Sequence, residues 1–361
     1  FSGGAKEARY CSETMDLDSL LNTLNPLKLV LLFILHAGTV LRIAGYALIE
    51  CGLAIFDFFR GAFSKKNIFK EFTFVPARVM VCIILRELVR FRLKLDVARG
   101  VPLLYANFLG YDEQAHRRGP DSAFAHWSLK GIDQAIQDIH KTAVRSECRS
   151  YQVIIYSDHG QEQVNNYEAI FGRTVKNAIR KEFNALYPDL FIPDEIRITT
   201  MGPIGHIYLP ERTCETKLAT IAEKLAANAG IPLVFFKEAN EILGCDHHGI
   251  FRVSESAERI LGKNHPYLDR VLKDLEGICR HKNAGDLVIS GWRPIGTPLS
   301  FNVENGAHGG PGKNETHPFL LIPAEFICDQ TPLVLRAADL RQLVQNRRLS
   351  RAVIGEKGLE P

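Results

Sequence analysis

The stretch Tyr151–Gly160 reads YQVIIYSDHG, an apolar, β-branched run followed at once by an acid, an imidazole and a glycine. Such a run predicts a strand at Val153–Tyr156, with Ser157–Gly160 as its exit loop. A carboxylate and an imidazole placed side by side on that loop can both turn toward a metal ion. Asp158 and His159 are therefore candidate metal ligands.

The same design occurs upstream, in VPLLYANFLGYDEQAH. Val101–Phe108 is apolar and β-prone, which predicts a buried strand, and Asp112 and His116 should lie on the loop that leaves it. The binding sites of open α/β sheets lie at such strand ends. A further candidate, His308, lies in the Gly-rich run NGAHGGPG, which needs an anchor to hold one conformation. A metal bond would supply that anchor.

The fold class expected from the whole pattern is α/β, with a mainly parallel sheet sandwiched by helices, because apolar strands alternate with amphipathic helices. One helix is predicted over 120–146, between the two strands that carry ligand pairs, and another over 215–227. Further strands are predicted at Ile196–Thr200, Gly205–Leu209, Leu233–Lys237, Gly249–Val253, Asp286–Ser290 and Phe319–Ile322.

Residues 27–100 are predicted to form an inserted, long amphipathic helical hairpin. Leu29–Phe59 is nearly continuous apolar sequence whose polar residues recur within about one third of a helix circumference, and a second helix follows at Arg78–Arg99. Three interpretations stay open: helices on a membrane surface, an oligomer interface or cap on the catalytic domain, and a transmembrane hairpin with paired charges. Basic flanks and the broad apolar face favour membrane-surface contact through residues 28–99.

Length and composition set the remaining bounds. A chain of 361 residues with 46% hydrophobic residues can bury a large core. A formal charge of +3 without a basic run gives no nucleic-acid-binding signature. Eight cysteines without a CxxC pair favour free thiols, which point weakly to the cytoplasmic face of a membrane. The expected domains are 1–26, a remnant of the N-terminal part of the catalytic domain; 27–100, the helical insertion; 101–330, the metal-binding α/β catalytic domain; and 331–361, a C-terminal helix and tail.

Together, DxxxH, then SDHG, then a distant HGG resemble the alkaline phosphatase superfamily, and most closely its type I phosphodiesterase and nucleotide pyrophosphatase branch, over roughly residues 101–325. The resemblance implies an alkaline phosphatase-like fold and a hydrolase that cleaves phosphodiester or nucleotide pyrophosphate bonds with two divalent metal ions. Zinc suits the ligand types best, and manganese next. By that resemblance, one ion would be held by Asp112, His116 and His308, and the second partly by Asp158 and His159.

The chain departs from the pattern of this branch near its start. The branch has an Asp on its first strand and a Ser or Thr nucleophile at a helix N-terminus, whereas Ser12 and Thr14 follow no apolar strand here. The expectation is an N-terminally truncated fragment, itself inactive, with its nucleophile upstream of Phe1. Alternatives are a membrane-associated phosphomonoesterase, a sulfatase, a transferase of phospho-head-groups, or a non-catalytic membrane-associated scaffold. Two other polar clusters, Cys245–His248 and His206, are interpreted as structural.

Overall fold

The structure, a computed structural model, describes residues 37–63, 76, 79–188, 195–210, 218–327 and 335–345. The chain forms two compact units, Phe1–Val89 and Arg90–Pro361. The first positions of the predicted long apolar helix, residues 29–36, lie outside the described residues, as do Ser12 and Thr14.

The described part of the first unit is helical, and its last helix continues into the sequence of the second unit. Helix α1 spans Ala37–Phe63, and a π-helical turn, Met80–Leu85, leads into helix α2, Arg86–Ala98. Arg42 of α1 donates to the buried carboxylate of Glu87 at 3.2 Å.

Arg42, one residue of the polar stripe predicted for α1, thus contacts the second helix, whereas apolar residues on another side of α1 are exposed. Leu41 is 73% exposed and Leu48 is 75% exposed on that face. Within the described ranges, none of the helices combines the length and apolar character needed to cross a membrane. Because residues 64–75 lie outside the described part, the hairpin itself stays a prediction.

The second unit contains a six-stranded sheet in the order β4-β5-β9-β6-β7-β8. All the strand pairs of this sheet are antiparallel. Its strands are β4 Arg197–Met201, β5 Ile204–Tyr208, β6 Leu233–Glu238, β7 Glu241–Asp246, β8 Gly249–Arg252 and β9 Leu287–Ser290.

The prediction of a mainly parallel sheet is therefore wrong for the described strands. The turns Gly202-Pro203, Ala239-Asn240 and His247-His248 each join neighbouring strands through two residues, a connection that only antiparallel strands allow. The run LVFF of β6 is apolar throughout because both faces of the strand are buried, and burial alone does not decide strand direction.

Two apolar cores lie on opposite faces of this sheet. Val234 and Phe236 of β6 pack into a cluster with Ile179 and Phe183, whereas the alternate residues of β6 pack into a second cluster with helical residues such as Leu275. The sheet is thus sandwiched between helices, as expected. The helices of these two layers are α6 Val175–Leu186 and α7 Leu218–Ala227 on one side, and α8 Ala257–Leu261 and α9 Leu268–Arg280 on the other.

Shorter elements carry the predicted ligands. They are α3 Tyr111–Arg118, α4 Ala123–Val144, β1 Ile155–Tyr156, β2 Glu162–Gln163, β3 Asn165–Asn166, α5 Tyr167–Phe171, β10 Leu299–Ser300, β11 Gly306–Ala307 and β12 Leu320–Leu321. Strand β1 pairs with β12, and β2 with β11, in antiparallel fashion, while β3 and β10 are parallel. A last helical segment spans 337–345. The mixture of helices and sheet is consistent with an alkaline phosphatase-like fold.

The strand predicted at Val101–Phe108 is absent, which is a second correction. No residue of this described segment is paired in a sheet, and Leu103 and Tyr105 are exposed. Pro102 lacks the N–H that a ladder requires, so apolar composition alone does not make this stretch a buried strand.

Candidate metal centre

Asp112 and His116 lie on helix α3, and not on a loop as the sequence suggested. The helix begins after Gly110, whose φ of 120° favours glycine and whose N–H donates to the Glu113 carboxylate at 2.6 Å. Residues four apart share one helix face. His116 Nε2 accordingly lies 3.3 Å from Asp112 Oδ1.

His159 lies on the loop that follows β1, where the sequence placed it. Its Nδ1 is 2.9 Å from the carbonyl oxygen of Gly160. A carbonyl only accepts hydrogen bonds, so Nδ1 carries the proton and Nε2 keeps its lone pair, the arrangement of a metal-binding imidazole. The neighbouring Asp158 differs in that its side chain is 77% exposed, with Oδ1 3.6 Å from His159 Nε2.

His308 directly follows β11, which pairs with β2 three residues beyond His159. The His308 ring stacks on that of His159 with centroids 3.6 Å apart. Its Nε2 lies 3.5 Å from Asp112 Oδ1, and its ring centroid is 4.9 Å from that of His116. Residues almost 200 positions apart in sequence thus converge on one point.

Within the described part of the chain, one carboxylate and two imidazoles form a group that could hold an ion. Ligand atoms of Asp112, His159 and His308 all lie within 4.8 Å of one another. Tetrahedral zinc with bonds of about 2.0 to 2.2 Å separates its ligand atoms by roughly 3.3 to 3.6 Å. The 3.5 Å between His308 Nε2 and Asp112 Oδ1 lies in this range, and the donor types suit a divalent ion. The structure groups His159 with Asp112 and His308, whereas the sequence grouped it with Asp158. The division of the five residues between two ions stays a prediction.

Contacts at Nδ1 of His116, the ring nitrogen that does not face Asp112, orient the ring. Its Nδ1 lies 2.9 Å from Glu304 Oε2 and 2.9 Å from the carbonyl oxygen of Gly306, so Nδ1 donates and Nε2 faces Asp112. Burial acts to lower the pKa of His116, but hydrogen bonds and charges from Asp112 and Glu304 outweigh it and raise the pKa to about 10. With this pKa, His116 is the protonated imidazolium at neutral pH and acts on the centre through its charge and its contact with Asp112.

Burial and neighbouring charges also shift the pKa values of Asp112 and His308. Burial acts to raise the pKa of Asp112, yet the hydrogen bond and charge of His116, with the nearby His308 and His159, bring it below its usual value. Burial, then the charge of His159, lowers the pKa of His308. Asp112 is thereby kept as the anion and His308 as the neutral imidazole, the forms that bind metal.

Sequence reasoning missed four polar groups around the centre. Glu304 contacts His116, Gln161 donates to Asp112, and Glu162 and Glu315 accept backbone hydrogen bonds from the Gly-rich loop. Gln161 and Glu162 directly follow SDHG, which was the one signal available. The anchor that the sequence indicated for the Gly-rich loop is thus supplied at least in part by buried carboxylates.

The two clusters set aside from the sequence have structural roles. Asp246 is bound by the Arg259 guanidinium through two hydrogen bonds of 2.9 and 2.6 Å, and it accepts from His248 N at 2.8 Å. His206 accepts from Gly285 N at 3.2 Å. Cys245 is buried, and it is a free thiol like the other four cysteines in the described part of the chain.

Comparison with known protein families identifies the family of the chain. The family model for type I phosphodiesterase/nucleotide pyrophosphatase matches residues 63–289, more than half of the sequence. The chain belongs to this family. The membership that the DxxxH, SDHG and HGG motifs predicted is thereby confirmed, and the family consists of hydrolases that act on phosphoric ester bonds.

Other comparisons add less. No curated protein matches the chain significantly. Among solved structures, the chain is similar to an inactive variant of murine ectonucleotide pyrophosphatase/phosphodiesterase 5 in complex with AMP. The identity is 15%, the match covers 63% of this chain and 51% of that chain, and the TM-score is 0.36. The chain thus spans about half the length of this relative.

Proposed function

We propose that the chain carries the metal centre of a phosphohydrolase that cleaves phosphodiester or nucleotide pyrophosphate bonds. The observation that supports this proposal is the convergence of Asp112, His159 and His308 within 4.8 Å, in a chain of the phosphodiesterase family. Two imidazoles and one carboxylate form a ligand set that suits zinc, with manganese as the next choice.

In this proposal Asp112, His159 and His308 hold one ion, and the exposed carboxylate of Asp158 serves a second beside it. Two such ions stabilise the attacking and leaving oxygens of an in-line displacement at phosphorus. His116 keeps the Asp112 carboxylate ionised and fixes its direction, because Glu304 and Gly306 orient its ring. The proposal assigns no residue described here to the nucleophile.

Metal binding tests the centre directly. Zinc titration by calorimetry should show binding, and His308→Ala should lower the zinc affinity by more than about 100-fold. A loss of this size exceeds the roughly 10 to 100-fold that is usual when only a hydrogen-bond partner of a metal ligand is removed. His126→Ala is the matched control, since His126 is exposed on α4. Zinc at about 100 times its Kd should stabilise the fold by about 2.7 kcal/mol, and a chelator should reverse this. Equal zinc affinity in the wild type and in His308→Ala would refute the centre.

Activity separates the reaction classes. Zinc-dependent hydrolysis of a nitrophenyl diester, a nitrophenyl monoester and a nitrophenyl sulfate should be compared, using the chain and any longer form of the protein. The proposal expects the diester to be cleaved with the highest kcat/KM. Preference for the monoester or the sulfate would instead support those branches of the superfamily, and zinc binding without turnover in either form would support a non-catalytic scaffold.

We also propose that α1 contacts a membrane surface. Leu41, Leu48, Ile55 and Phe59 recur along one side of α1 and are all more than half exposed, which suits an interfacial helix. Vesicles containing anionic lipid should carry the chain upward on flotation at low salt, and Leu48→Asp should prevent this. If the chain does not bind vesicles but dimerises through this face, the result would support an oligomer interface. If it does not bind vesicles and is a monomer, the result would support a cap on the catalytic domain.

A further inference from the structure

The Gly-rich loop that carries His308 is folded around a buried carboxylate. Glu315 is 5% exposed, and its two oxygens accept from the N–H groups of Gly310 at 2.8 Å and Gly312 at 2.7 Å. Glycine-rich backbone loses much conformational entropy on ordering, and hydrogen bonds to a buried acceptor offset part of that loss. The loop therefore has its own anchor beside the ligand.

A second buried carboxylate joins this loop to the loop of His159. Glu162 lies three residues after His159, and its two oxygens accept from Asn314 N at 2.6 Å and Asn314 Nδ2 at 2.9 Å. Gly160 N also donates to the carbonyl oxygen of Glu315 at 2.9 Å. We call Glu162 and Glu315 the carboxylate clamp. All four of its oxygens accept hydrogen bonds, and neither residue belongs to the group of possible ligands, Asp112, His159 and His308.

Two further contacts leave the clamped loop little freedom. Tyr267 N donates to Nδ1 of the buried His265 at 3.1 Å, which leaves the proton on Nε2 to be donated to the carbonyl oxygen of Pro311 at 3.0 Å. At Gly312, a Cβ atom would lie 2.6 Å from Glu162 Cγ. The loop thus fits its carboxylates with no room for a side chain at this position.

We infer that the carboxylate clamp is a positioning device of the metal centre, which holds the His159 and His308 loops together so that their imidazoles share one ion. The stacking of these two rings at 3.6 Å requires the two loops to stay in register. The Glu162 side chain and the Gly160 N–H link the two loops, and the Glu315 side chain holds the His308 loop in the shape that these links need. The inference rests on the proposed metal centre and assigns two residues that contact neither the ion nor the substrate.

Cobalt(II) is the probe for the test, because its visible spectrum reports the ligands of the ion. Glu315→Gln should weaken cobalt affinity by about 10 to 100-fold, the usual cost of removing a partner of a ligand, and should change the band shape. Glu182→Gln is the control, since Glu182 is equally buried and accepts from Asn228 Nδ2 at 2.8 Å in the core layer of α6. The control should bind cobalt as the wild type does.

A double-mutant cycle shows whether the clamp acts through His308. In the His308→Ala background, Glu315→Gln should cost no further affinity, because the ligand that it positions is already gone. A full additional loss in that background, or wild-type cobalt binding and spectrum in Glu315→Gln, would overturn the inference. If His308→Ala itself binds cobalt as the wild type does, the proposed metal centre fails and the clamp has nothing to position.

A milder variant covers the case in which Glu315→Gln does not fold. Asn314→Ala removes the side-chain amide that contacts Glu162, keeps the backbone bond, and lies at an exposed position. This variant should still lower cobalt affinity, by up to about tenfold. Unchanged affinity and spectrum in a folded Asn314→Ala would count against the clamp.

Discussion

Glu315 should give the chain a measurable pH-dependent stability. Burial raises the pKa of this carboxyl to about 7, with a smaller contribution from the charge of Glu162, although the Gly312 and Gly310 amides act in the opposite direction. The folded state therefore binds a proton that the unfolded state, with a pKa of 4.5, has already released. The contribution of Glu315 is fully present below pH 4.5 and is lost as the pH rises through about 7.

The size of the effect follows from linkage. Each unit of pKa difference corresponds to about 1.4 kcal/mol, so the whole contribution is about 3 kcal/mol, as an upper bound for this buried pair of carboxylates. About 2.5 kcal/mol of it should disappear between about pH 5 and about pH 8. Glu315→Gln carries no titrating proton and removes this component.

Urea unfolding monitored by circular dichroism at several pH values measures the difference. The free energy of unfolding of the wild type should fall more steeply over this range than that of Glu315→Gln. Parallel curves for the wild type and Glu315→Gln would refute the reasoning, because they would show that Glu315 titrates alike in the folded and unfolded states.

Three other substitutions test a close backbone contact near the metal centre, the hydrophobic core and a helix cap. Gly160→Ala should destabilise the fold by at least about 2 kcal/mol, since its Cβ would lie 1.9 Å from the carbonyl oxygen of Asn314; a stability within 0.5 kcal/mol of wild type would contradict this. Phe183→Ala should cost about 3 to 5 kcal/mol in urea unfolding because the ring is fully buried, and a smaller loss would mean that the core collapses around the gap. Ser122→Ala should cost about 1 kcal/mol by removing the hydrogen bond from Ala125 N at 3.2 Å that caps α4, and an unchanged midpoint would show that the cap is dispensable.

Local sequence signals predicted most strands and helices of the second unit but not the direction of the strands. Leu233–Glu238 and Leu287–Ser290 lie where apolar β-branched runs predicted them, and α4 begins after Ser122, as its capping residue indicated. Strand direction depends on the connections, and the Ala239-Asn240 turn has no glycine to indicate a hairpin. Ala239 adopts the positive φ of 51° that this hairpin requires.

The candidate site was predictable at the level of ligand types and less so at the level of their environment. Asp112, His159 and His308 stand out because acids and imidazoles next to glycine have a recognised metal chemistry. Glu315 gives no such signal, because a glutamate in a Gly-rich loop is ordinarily a solvated turn residue. Only the folded chain shows that its carboxylate points inward and takes two backbone N–H groups.

The environment of the ligands also explains why the metal centre lies in loops without being loosely held. Short ladders place the ends of the His159 and His308 loops side by side, as in the pairing of β2 with β11. These ladders are two residues long, too short to fix an imidazole by themselves. Glu162 and Glu315 add four hydrogen bonds from the loop of His308 within the seven residues that follow it. The chain thus uses buried carboxylates where a longer sheet would otherwise have been needed to bring distant ligands to one ion.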